Sequence, residues 1–134
     1  MNREVIIEAI EQAATKGGYV FHSDEEKQMP VAVKSYPALW LVPPQFSSIE
    51  GRKHGKVTYA VKLHLMQEGT KLTGQQRNQK WKQMEGEVIE IFASVSQHER
   101  VVAVNNLKMG NNSKTHSTHG ELVVTATADV VTFF

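Results

Sequence analysis

Apolar residues return every three or four positions between about Arg3 and Lys16, where Val5, Ile6, Ala9, Ile10 and Ala13 make one stripe and glutamates occupy the other side. That period predicts a short amphipathic helix, with Asn2 placed to cap its start and Gly17-Gly18 able to supply the left-handed residue that ends it. Tyr19 to Phe21 reads as a short strand, Ser23 to Gln28 as a polar link, and Val31 to Lys34 as a second extended piece. Pro37 and Pro43-Pro44 bracket Ala38-Leu39-Trp40-Leu41-Val42, an apolar run too short for a helix. The restriction on residues that precede proline holds its end extended, so it predicts a buried strand. Gln45 to Lys56, with Ser47, Ser48, Gly51 and Gly55, has no period and predicts a connecting loop with Arg52, Lys53 and His54 at its tip.

From Val57 to Met66 the pattern changes to strict alternation: Val57, Tyr59, Val61, Leu63 and Leu65 on one side, Thr58, Lys62 and His64 on the other. This predicts a strand. Thr73-Gly74-Gln75-Gln76 has the spacing of a capping box, in which the threonine hydroxyl and the glutamine side chain each satisfy one free backbone donor. The stripe Trp81, Met84, Val88, Ile91, Phe92, Val95 then carries a helix to about Gln97. Two strands follow, Arg100 to Asn105 with an extension towards Met109, and Glu121 to Phe134, separated by a polar loop from Gly110 to Gly120. The order describes one α+β domain over residues 1–134: a mainly antiparallel sheet with a short N-terminal helix and one long helix packed on one side.

Composition narrows the chemistry. With 134 residues and 40% apolar content the chain can close one core. It contains no cysteine, which removes disulfides, thiolate catalysis and cysteine-ligated metal. Glu4, Glu8 and Glu11 interrupt the first apolar stretch as no secretory signal does, and no apolar run approaches a membrane span, so a cytoplasmic location is the expectation.

The net charge of +1 conceals an uneven distribution. Between Arg52 and Lys82 eight basic residues face only Glu68, a net +7, while the remainder carries seven basic and thirteen acidic residues, a net −6. Such a chain suits an anionic partner at one surface or contact between its own copies. Arg52, Lys53, His54 and Lys56 on the loop and Arg77, Lys80 and Lys82 at the start of the long helix are the candidate interface or phosphate-contacting residues. They lack the interleaved aromatics of a stacking platform.

Other chemistry falls short on spacing. Gly51 to Val57 has three residues between its glycines where a phosphate loop has four, and a strand follows where a helix is required. His116 and His119 form the one close histidine pair, with only Glu121 nearby as a further ligand, too few for zinc. Glu85, Glu87 and Glu90 lie off the apolar stripe of the long helix, in the position of a solvated face, and Asp129 lies on the less apolar side of the last strand. No catalytic, cofactor or metal site emerges. The apolar pattern is more suggestive: Trp40 and Val42 oppose Leu39 and Leu41, and Val123, Val131 and Phe133 oppose the main apolar side of the last strand. A sheet apolar on both sides must be covered, by its own helices or by a neighbouring copy. Trp40, Val42, Val131 and Phe133 are therefore candidate apolar subunit contacts.

The element order, with Tyr36-Pro-Ala-Leu-Trp40 before a hairpin, a long polar-capped helix from Thr73 and a Thr- and Val-rich final strand, resembles the tail-terminator or tail-completion proteins of long-tailed bacteriophages. The resemblance implies a non-catalytic α+β subunit without cofactor that forms a homo-oligomeric ring, with a hexamer the expected count. Its partners would be itself and other tail or head–tail connector proteins, in the host cytoplasm or the virion, with no membrane. Two other readings stay open: a nucleic-acid-binding module using the 52–82 segment, and a small enzyme or ligand-binding domain whose site assembles from distant residues.

Overall fold

The N-terminal stripe folds as α1, Asn2–Lys16, in a computed structural model that describes residues 2–51, 53–69, 72–112 and 121–134, and their side chains apart from those of Pro30, Val31 and Asn112. Asn2 lies within the helix, and its amide donates to Thr132 Oγ1 at 2.8 Å, tethering the helix to the last strand. The chain leaves α1 through Gly18, at φ 85°, and enters β1, Val20–Ser23. A 3₁₀ turn, Glu26–Gln28, and a one-turn helix α2, Met29–Ala32, follow. Then come β2, Ala38–Glu50, β3, Lys56–Gln67, α3, Gly74–Ser96, β4, Val101–Asn112, and β5, Leu122–Phe133. The capping box starts α3 as expected, with Gln76 N donating to Thr73 Oγ1 at 3.2 Å and Thr73 N to Gln76 Oε1 at 2.9 Å.

The fold is α+β, and its five-stranded sheet has the order β1-β2-β3-β5-β4. Every pairing is antiparallel except β1 with β2. Alternation divides the sheet into two faces. Leu39, Leu41, Val61, Leu63, Leu65, Leu122, Val124, Ala126 and Val130 meet Ile6, Ile10 and Ala14 of α1 and Met84, Val88, Phe92 and Val95 of α3 in the main core. Each fully buried aliphatic side chain there is worth about 1.5–3 kcal/mol over its exposed state. The opposite face carries a second cluster at one end only: Ala38, Trp40, Met66 and Val123, beneath Met29 and Val33.

Two segments differ from the sequence expectation. Residues 31–34 form no strand: 31 and 32 close α2, Val33 returns to extended backbone without pairing, and Met29 and Val33 turn onto Trp40, an apolar surface worth more than the strand preference of valine. Gln45 to Lys56 is not a loop either. β2 runs through Pro43-Pro44 to Glu50 and pairs with β3 as far as Glu50↔Lys56, with register shifts at Val42/Gln45 and Phe46/Ser48. The turn is only 51–55, with Gly51 at φ 91° and Gly55 packed so close to Glu50 O and the Phe134 ring that a side chain there would collide with both.

Candidate interaction surfaces

The paired registers fix which residues share an end of the sheet. Lys56 lies opposite Phe133, Val57 opposite Thr132, and Thr132 opposite Val101, so the β2–β3 turn, the C-terminus and the start of β4 form one end. Phe134 N donates to Gly55 O at 3.0 Å and Phe133 N to Arg100 O at 3.3 Å, which closes it. Lys53, His54 and Lys56 are exposed here, while Arg52 lies outside the described residues. Arg77, Lys80 and Lys82 sit at the other end, where α3 begins after β3: Arg77 is half-buried and donates Nη1 to Gly69 O at 2.8 Å, Lys80 is half-buried and Lys82 exposed. The twelve residues of β3 separate the two basic groups, about 36 Å at the strand rise. The structure thus does not bring the candidate phosphate contacts together.

The apolar candidates divide as well. Trp40 is 1% exposed, stacks on His22 with ring centroids 5.4 Å apart, and donates Nε1 to Asp24 O at 2.9 Å. Its cover comes from its own chain, so the expectation that it contacts another subunit is corrected. Val42 and Val131 are half-buried on the same face; Val42 packs against the second cluster, and Val131 lies farther along the strand pair. Phe133, opposite Lys56 on that face, is 43% exposed and Phe134, just past β5, 38%, whereas Phe46 at 56% and Ile49 at 58% lie on the face that bears the helices. Phe46 and Ile49 lie opposite Tyr59 and Val57, and Phe46 meets Tyr59 edge-on at 6.2 Å while the Arg3 guanidinium stands 5.9 Å from the Tyr59 ring. Phe46 and Ile49 fall in a segment whose sequence has no strand period. Their spacing of three, bridged by a bulge, hides the strand period.

On the face away from α1 and α3, a groove of about 540 Å³ runs between Val42, Ala60, Lys62, Thr127 and Asp129. Glu26 stands at its rim, 2.9 Å from Lys62 Nζ, and its other oxygen is 3.4 Å from Nε2 of the buried His64, whose Nδ1 is 2.8 Å from Thr125 Oγ1. The hydrogen bond from Lys62 holds the Glu26 carboxyl below its usual value against the opposing effect of burial. This cluster pins the 3₁₀ turn to the sheet. Asp129 accepts from Asn106 Nδ2 at 2.8 Å. The groove therefore offers balanced, mutually engaged charges. The histidine pair His116 and His119 lies outside the described residues, and among those described no three metal-ligating side chains converge. Nor, among them, is any helix long and apolar enough to cross a membrane.

Glu87 is the one carboxyl on α3 with a marked environment. Burial, aided by the neighbouring Glu90, pushes its carboxyl above the usual 4.5, and Oε2 has no hydrogen-bond partner among the described residues. A raised folded-state value means that the stabilising protonated form is fully present below 4.5 and is lost as pH rises through the folded value. Glu87→Gln, which keeps the acceptor for Gln83 Nε2, is expected to stabilise the fold at pH 7 by about 0.5 kcal/mol, a figure held down by solvent screening. Urea titrations at pH 7 and pH 4 check it: the gain should shrink at the lower pH. The chain matches no protein-family model, and no curated protein matches its sequence.

Proposed function

We propose that this chain is a non-catalytic assembly subunit of the tail-terminator kind, forming a homo-oligomeric ring at the end of a phage or prophage tail and meeting tail or head–tail connector proteins there. The observation that carries the assembly reading is the apolar end of the sheet, where Phe46 and Ile49 stand exposed on the face that bears the helices, Phe133 on the opposite face and Phe134 just past β5. Exposed apolar side chains on rigid backbone at one end of a sheet suit contact with a protein partner. The tail-terminator identity rests on the element order and on the Tyr36-Pro-Ala-Leu-Trp40 and Thr73 features, and belongs to the proposal alone.

Negative-stain electron microscopy of the concentrated protein, alone and mixed with tail tubes of the phage or prophage that encodes it, tests this reading. Rings of uniform diameter, and tubes closed at one end by added density, are the expected images. Monodisperse particles the size of one chain in both preparations would remove it. The nucleic-acid reading would need phosphate contacts from two groups at opposite ends of β3, which argues against a single tracking groove.

A further inference from the structure

The long helix carries its charges in an order that works against its own stability. Arg77, Lys80 and Lys82 are the only charged residues in its first half and Glu85, Glu87 and Glu90 the only ones in its second; no acid lies in its first turn and no base in its last. A helix is positive at its start and negative at its end, so acids favour the start and bases the end. α3 has the reverse. Pairing along the helix does not compensate. Gly86 stands four residues after Lys82 and four before Glu90, the position from which a partner on the same helix would reach either, and among the described residues neither side chain has an ion pair.

Gly86 is a second cost. Glycine in the middle of a helix weakens it, yet a Cβ at Gly86 would meet nothing within 4 Å, so no contact inside the chain requires the missing side chain. The residue lies on the side of α3 away from the buried Met84, Val88 and Val95, in line with Gln79, Lys82, Glu90 and Ala93, all exposed. Beside that line Ile89 is 51% exposed.

An antiparallel copy of the same helix answers each feature. Turned about a two-fold axis at Gly86, the second α3 lays its acidic half along the basic half of the first, and the two dipoles oppose. Residues equally far from Gly86 on either side come level: Lys82 with Glu90, twice over, and Gln79 with Ala93. Gly86 meets its own twin on the axis, where the absent side chain lets two backbones approach. Ile89 of each copy falls beside the aliphatic stem of the other's Lys82. The surface is thus complementary to itself, as a two-fold contact requires, whereas a parallel copy would set like charges together.

We infer that copies of this chain pair two-fold through α3, antiparallel about Gly86, with Lys82 of each copy facing Glu90 of the other. The contact goes beyond the ring reading and does not depend on it. Exposed ion pairs contribute little singly, so one such contact holds two free chains weakly and is multiplied where joined copies present several together.

Trapping detects a weak contact, and the chain has no cysteine to interfere. Gly86→Cys, Gln79→Cys and Ala93→Cys are made one at a time in the full-length chain and mildly oxidised at high protein concentration, each alone and the last two also as an equimolar mixture. Antiparallel pairing about Gly86 predicts covalent dimers from Gly86→Cys alone and from the mixture, about tenfold or more faster than from Gln79→Cys or Ala93→Cys alone. Equal rates in every sample would mean chance collision, and fast dimers from Gln79→Cys alone would mean parallel pairing; either result overturns the inference. Lys82→Glu and Glu90→Lys, introduced into the Gly86→Cys chain, supply the second measurement. Each should slow trapping about fivefold, and the two together should restore it, because the exchanged charges face each other again. Trapping that ignores both charge changes contradicts the proposed pairing. Neither failure touches the ring reading, which the mass of the cysteine-free chain tests by itself.

Discussion

Replacing Trp40 by alanine is expected to lower the unfolding free energy by about 3–5 kcal/mol, the range for emptying a large aromatic from a packed core. For a domain of this size that is a fall of about 10–20 °C in Tm. The side chain is among the largest of those fully buried and packs with Met29, Val33, Ala38, Met66 and Val123. Its Nε1 donor to Asp24 O also holds the chain entering the 3₁₀ turn. Trp40→Phe keeps most of the volume and loses the hydrogen bond, so about 1–2 kcal/mol is expected. Chemical denaturation of both variants checks the pair of values. A loss below about 1 kcal/mol for alanine would show that residues 26–33 do not seat on this face.

The double substitution Phe46→Lys with Ile49→Lys is expected to abolish self-association while changing the stability of the single chain by no more than about 0.5 kcal/mol. Both side chains are more than half exposed, so they contribute little to folding, and lysine on an edge is a common natural guard against strand pairing. Sedimentation equilibrium should show the association constant falling at least about 100-fold, the scale of losing two apolar anchors from the middle of an interface. Association at wild-type strength would place the contact elsewhere. A stability loss of several kcal/mol would mean that both residues serve the core.

The elements that hold the main core were legible because their periods are unambiguous: α1, β3, α3 and β5 follow from stripes and alternation, and the Thr73-Gln76 box fixes where α3 starts. What could not be read were features decided by distant contacts. Pro43-Pro44 looked like the end of a strand, since proline removes a donor and restricts its neighbour. On an edge that β1 has already left, the missing donor costs nothing, and β2 continues past it. Residues 29–32 became helical because Trp40 and Met66 offered them an apolar surface. The basic segment looked continuous along the chain, and the length of β3 then carried its two halves to opposite ends. His64 showed no partner in sequence, yet Glu26, thirty-eight positions earlier, reaches it across the sheet. Of the candidate contacts, Phe133 and the exposed turn residues Lys53, His54 and Lys56 stand where a partner can reach them, whereas Trp40 does not.

The central claim, that this surface exists to meet further copies of the chain, is tested most directly by the mass in solution. Light scattering behind a sizing column, with the wild-type protein loaded at high concentration, should return a multiple of the 15.0 kDa chain, with six copies giving about 90 kDa. A constant mass of one chain across the elution peak and at every concentration loaded would contradict the account.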